Sequence, residues 1–136
     1  MSDSVFLDTN ALVWAVEGVL RLGPNSRNLA SVALREDALF VSAISFWEIA
    51  MLVRRGRLKL AHPANEWRQN VLRLGIVEAP VTGEIGIRAA EIEGLHKDPA
   101  DRIIAATALV RGCALLTADE RILAWGGPLT RHDARR

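Results

Sequence analysis

At 136 residues, 50% of them hydrophobic and 24% charged, the chain is long enough to bury one continuous core and too apolar to be disordered. A formal charge of +1 excludes a uniformly basic or acidic surface without forbidding an acidic cleft beside a basic rim, and a single cysteine, Cys113, excludes a disulfide or a thiolate metal site. No run approaches the roughly 18 apolar residues of a membrane span, and the acid-bearing N-terminus is unlike a secretion signal, so a cytoplasmic protein is expected.

The first predicted element is a strand, Val5-Phe6-Leu7. Three apolar residues without polar alternation fit a strand covered on both faces. Asp8, Thr9 and Asn10 follow where the strand emerges. A short helix over 11–17, with Asn10 as cap and Gly18 as stop, leads to a second over 24–36 opened by Pro24. Strand two is 38–41. The helix over 42–55 is closed by Gly56 and runs out into the basic cluster Arg54, Arg55, Arg57 and Lys59. Pro63 starts a helix to 74, and 76–79 is a short third strand. Thr82 caps a helix reaching toward Gly94, and Pro99 starts another that ends at Gly112. Strand four is 113–117, with Cys113 a small buried hydrophobe. A last helix covers 119–125, and 128–130 supplies an edge strand before the charged tail 131–136, giving one domain over 1–130.

Strands alternating with helices at this spacing predict a three-layer α/β/α sandwich around a central parallel sheet. Right-handed crossovers bring the carboxyl ends of all parallel strands to one edge, with the N-termini of the following helices. In such sheets that edge is where ligands bind. Four acids are delivered there: Asp8, Glu48, Asp101 and Asp119. Each has a bland reading. Asp8 and Asp119 are turn or cap residues, Ser45-Phe46-Trp47-Glu48 matches a capping box, and Asp98-Pro99-Ala100-Asp101 resembles one. Their coincidence at one edge is what points to chemistry.

Two carboxylates about 4 Å apart repel by about 4 kcal/mol at an effective dielectric of 20. A hard divalent cation relieves this, and an all-oxygen set without Cys or His selects Mg²⁺ or Mn²⁺ over Zn²⁺. Such a cation activates water and binds phosphate oxygens, so displacement at phosphorus is the reaction class expected. Thr9, Asn10 and Thr117 are placed to orient carboxylates or water, or simply to serve turns and caps.

Leu7-Asp8-Thr9-Asn10, Val41-Ser42-Ala43 leading to Trp47-Glu48-Ile49, His96-Lys97-Asp98-Pro99-Ala100-Asp101-Arg102 and Leu115-Leu116-Thr117-Ala118-Asp119 together resemble the PIN-domain family, and within it the VapC-type toxins. The similarity spans essentially the whole chain. It implies an Mg²⁺- or Mn²⁺-dependent endoribonuclease, usually a homodimer, inhibited by a cognate VapB-type antitoxin. It maps the catalytic and metal-binding acids onto Asp8, Glu48, Asp101 and Asp119, with Asp98 an outer ligand or a cap. A phosphomonoesterase with an aspartyl nucleophile is disfavoured by Asn10, where that chemistry wants a second Asp. The alternative of another class is a catalytically silent module whose acidic pocket holds a structural cation and whose surface binds RNA or protein.

For the RNA backbone, Arg102, Lys97, Arg54 and Arg55 are the candidate phosphate contacts, against the plain alternative of a solvated charged face. Trp14 and Trp47 flank the motifs and invite base stacking. Their apolar helices favour core or dimer packing instead. The three histidines share no ligand spacing, and only His96, beside the acidic loop, is placed to touch substrate.

Overall fold

The computed structural model describes residues 3–136. Five parallel strands form one sheet in the order β3-β2-β1-β4-β5. In chain order the elements are β1 (Val5–Leu7), α1 (Thr9–Glu17), α2 (Pro24–Arg35), β2 (Leu39–Ser42), α3 (Ala43–Arg54), α4 (Ala64–Arg73), β3 (Val77–Ala79), α5 (Gly83–Glu91), α6 (Pro99–Arg111), β4 (Ala114–Thr117), α7 (Glu120–Leu123) and β5 (Arg131–Asp133). The chain builds outward from β1 on one side, then returns to build on the other. Its topological switch point therefore lies between β1 and β4, where open α/β sheets bind their ligands.

The double coverage expected of β1 is present. Val5 and Leu7 pack into a cluster with Leu12, Leu39, Val41 and Leu116, while Phe6 joins Leu115, Ile104 and Ile122 on the opposite face. Phe6 and Leu7 have no exposed surface, and Cys113 is buried as expected. At about 25 cal/mol per Å² of apolar area removed from water, such side chains contribute about 2 to 3 kcal/mol each. Gly18 and Gly112 end α1 and α6 in the left-handed conformation, where a side chain would be strained. Among the described residues no helix is long and apolar enough to cross a membrane.

Three elements differ from the sequence reading. Helix α1 begins at Thr9 and is capped by Asp8, so Asn10 lies within its first turn. Ser42 both ends β2 and caps α3 by accepting from the Ile44 N–H. The last strand is Arg131–Asp133, not 128–130, and it pairs in parallel with β4. The segment expected as a charged tail thus completes the sheet. Ala134 is fully buried beyond it, and the carbonyls of Ala134 and Arg136 accept from Gly23 and Ser26 at the start of α2. Ion pairs let so polar a strand lie there, Arg135 reaching Asp133 at 2.8 Å and Glu120 at 2.7 Å.

Candidate active site

At the switch point Asp8, Thr9, Asn10, Glu48, Asp98, Asp101 and Asp119 converge on one recess of about 200 Å³, together with Leu52 and Arg121. All four acids singled out in the sequence are there. The bland and the chemical readings turn out to be compatible, because three acids of the recess cap helices that point into it. Asp8 accepts from the Ala11 N–H at 2.8 Å, Asp98 from Ala100 at 3.0 Å, and Asp119 from Arg121 at 2.8 Å. Helix N-termini carry partial positive charge, which partly offsets the crowding of carboxylates.

Asp8, Glu48, Asp101 and Asp119 are each held by a neighbouring side chain as well. Thr117 Oγ1 donates to Asp8 Oδ2 at 2.6 Å and accepts from the Asp119 N–H at 3.0 Å. Thr9 donates to Glu48 Oε1, and its hydroxyl is bonded to that of Ser45. Ser45 and Glu48 therefore form no capping box, since the cap of α3 is Ser42 three residues earlier. His96 Nε2 lies 2.7 Å from Asp101 Oδ2 and donates to it when the carboxyl is ionised. Arg121 Nη2 lies 3.0 Å from Asp119 Oδ2 and 3.8 Å from Asp101 Oδ2.

The electrostatics are those of a site short of positive charge. Burial pushes Asp8 up to about 6, against the bonds from Thr117 and Ala11, with the charges of Asp101 and Asp119 adding to the rise. Burial likewise raises Glu48 and Asp101, opposed by Thr9 and His96 respectively. For Asp119 burial acts upward, but the bonds and charge of Arg121 outweigh it and hold the carboxyl low. A hard cation matches this donor set, since oxygens dominate it and two raised carboxyls face the same recess as Asp8. Ligand atoms of His96, Asp101 and Asp119 all fall within 4.8 Å of one another. Asp8 and Glu48 line the same recess outside that tight group. His96 thus stands closer to the acids than its isolated sequence position indicates, with its Nε2 bonded to Asp101.

The basic candidates fare differently. Arg102 is not available for substrate: its five N–H groups go to the carbonyls of Ala89, Ala90, Ile92, Leu95 and His96, at 2.6 to 3.2 Å. It closes the C-terminal end of α5 and fixes the loop carrying His96. Lys97 is exposed and lines a neighbouring recess with Pro99 and Ile103. Arg54 and Arg55 are exposed at the far end of α3, about 10 Å along the helix from Glu48 by its rise per residue, and line no part of the acidic recess. Arg121, not singled out in the sequence, is the cation that reaches the acids.

A doubly wound parallel sheet carrying clustered acids at its switch point defines the class: an α/β protein with a carboxylate-lined active-site cleft. The family model of the PIN domain matches residues 5–126, and the chain belongs to the PIN-domain family. It is 33% identical over 124 residues to Ribonuclease VapC22 of Mycobacterium tuberculosis, an alignment covering 88% of this chain and 89% of that protein. Its fold is similar to the crystal structure of VapBC2 from Rickettsia felis bound to a DNA fragment from its promoter, with a TM-score of 0.69 at 16% identity, covering 94% of this chain and 96% of that one. It is also similar to FitAcB from Neisseria gonorrhoeae, with a TM-score of 0.60 at 25% identity, covering 96% and 97%.

Proposed function

We propose that this protein is a divalent-metal-dependent endoribonuclease, the toxin of a VapBC-type toxin–antitoxin pair. The carrying observation is the convergence of Asp8, Glu48, Asp101 and Asp119 on one recess of a PIN-domain chain that is 33% identical to a named ribonuclease. When bound, Mg²⁺ or Mn²⁺ supplies an activated water and neutralises the phosphate. Asp8, Asp101, Asp119 and Glu48 present the oxygens that hold it. Thr117, His96 and Thr9 orient the carboxylates of Asp8, Asp101 and Glu48. With a divalent cation held by these four acids, water would serve as the nucleophile, the RNA 2′-hydroxyl would take no part, and the products would carry a 5′-phosphate and a 3′-hydroxyl.

A VapB-type antitoxin as partner is supported by the neighbours whose structures are VapBC assemblies. The working state in this reading is a cytoplasmic homodimer. The test is incubation of purified, partner-free protein with mixed cellular RNA in Mg²⁺ or Mn²⁺ and in EDTA, alongside Asp8→Asn. Fragments with 5′-phosphate ends, formed only by wild type with metal, are expected. Intact RNA beside a folded, metal-binding wild type would leave the silent binding module standing.

A further inference from the structure

Among the described residues Arg121 is the one cationic side chain on the wall of the acidic recess. Its guanidinium takes both oxygens of Asp119, Nε donating to Oδ1 at 3.3 Å and Nη2 to Oδ2 at 3.0 Å, and the same Nη2 lies 3.8 Å from Asp101 Oδ2. It bridges two acids whose ligand atoms fall within 4.8 Å of one another. A monovalent cation of the chain itself thus sits against oxygens that a divalent ion needs.

The fold does not require this tie. The cap of α7 is made by the main-chain N–H groups of Arg121 and Ile122 on Asp119 Oδ1, and Asp101 is held independently by His96. The Arg121 side chain is 61% exposed, and exposed ion pairs are weakly held, so an ion of twice the charge displaces it. Once displaced, the guanidinium has few anions to turn to. Glu120, beside it on α7, is engaged by Arg135 at 2.7 Å, and Asp98 spends Oδ1 on the cap of α6. The anion that remains is the one a substrate brings. A phosphodiester accepts the planar fork through two oxygens, as the carboxylate does.

We propose that Arg121 is a counter-ion that changes partner: in the metal-free protein it stands in for the divalent ion at Asp119 and Asp101, and in the loaded protein it turns to the RNA phosphate beside that ion; this rests on the ribonuclease reading above. Two effects of opposite sign then belong to one side chain. Arg121 weakens metal binding in the absence of RNA and strengthens the hold on the substrate phosphate in its presence. A residue that merely orients Asp119 strengthens both.

The test is calorimetric titration of Mn²⁺ into RNA-free wild type, Arg121→Gln and Arg121→Lys, followed by cleavage of mixed cellular RNA at saturating Mn²⁺. Arg121→Gln is expected to bind Mn²⁺ about fivefold more tightly and to lose about tenfold or more in kcat/KM. Arg121→Lys keeps the charge without the fork, so it binds Mn²⁺ within about twofold of wild type and still loses several-fold in kcat/KM. Weaker Mn²⁺ binding by a folded Arg121→Gln overturns the exchange and makes Arg121 a positioning residue for Asp119. Tighter binding with unchanged kcat/KM overturns the phosphate contact and leaves Asp98 as the new partner. Should Arg121→Gln be unfolded by circular dichroism, Arg121→Lys decides: undiminished Mn²⁺ affinity with a several-fold loss in kcat/KM upholds the exchange, and wild-type kcat/KM overturns it. A folded, Mn²⁺-binding wild type that cleaves no RNA overturns the ribonuclease reading and the phosphate contact with it, whereas tighter Mn²⁺ binding by Arg121→Gln would still uphold the competition for the acids.

Discussion

Thr117 and Asp8 are joined side chain to side chain across 2.6 Å, which locks the carboxyl end of β4 to that of β1 at the centre of the site. This bond is one of the two that hold the Asp8 carboxyl down against burial. Thr117→Val removes it and also strands the Asp119 N–H. The variant is expected to lose about 1 to 2 kcal/mol of stability, and its Mn²⁺ affinity to need a higher pH, because Asp8 must release its proton to bind the cation. Thr117→Ser restores both. Calorimetric titration of Mn²⁺ from about pH 5.5 to 8 reads the shift directly.

Asp8 sets a second pH dependence. Its folded value of about 6 lies above the ordinary 3.8, so between these values the metal-free native state keeps a proton that the unfolded chain has released. Stability of the metal-free protein therefore falls as pH rises through that window, by up to about 3 kcal/mol at neutral pH. Asp8→Asn escapes this loss. It is expected to be more stable than wild type at pH 7 without metal and to lose that advantage below about pH 4. Added Mn²⁺ reverses the ranking by stabilising wild type alone, as paired thermal melts would reveal.

Arg102 is a structural residue despite its place beside Asp101. Replacing it with Lys forfeits the planar fork that reaches five carbonyls. A loss of about 2 to 4 kcal/mol is expected from urea unfolding, at unchanged KM for RNA under conditions where the variant is folded. A raised KM with undiminished stability would return Arg102 to the substrate side.

The C-terminal segment is expected to be indispensable. Deleting 131–136 strips β5 from β4, opens the space Ala134 fills, and takes away the acceptors of Gly23 and Ser26. A melting temperature lower by about 10 °C or more, or a chain that aggregates, follows from an unpaired sheet edge and the lost burial. A truncated protein with wild-type melting would show β5 to be dispensable.

What the sequence discloses and what it hides follow from the range of each interaction. The run Val5-Phe6-Leu7 declares a doubly covered strand because periodicity is local, and Pro24, Pro99, Gly18 and Gly112 mark helix ends through their own backbone constraints. The convergence of the acids was legible because crossover handedness turns sequence order into place. Arg102 misled because adjacency in sequence is a rotation of about 100° on a helix, enough to turn its side chain away from Asp101's cleft. Arg121 shows no local signal beyond an Arg two residues after a capping Asp in a strand-to-helix crossing. β5 was hidden because Arg-His-Asp lacks any strand pattern; its place depends on β4 beside it and on pairs such as Arg131 over the Trp125 ring, 5.8 Å from its centroid. Trp47 reads as core or dimer packing from an apolar helix, and in the single chain it is 58% exposed.

The central position of β1 has a consequence for synthesis. The strand that every other must flank leaves the ribosome first, and Thr117, the partner that holds its acid, follows 109 residues later. Asp101, Asp119 and the closing strand β5 all come from the final third of the chain. No nascent fragment that lacks Asp119 can gather the four carboxylates, so the acidic cleft is completed only once β4 and the turn after it have been made. The acids of the cleft are therefore brought together by the late pairing of β4 beside β1, and by no local segment of the chain.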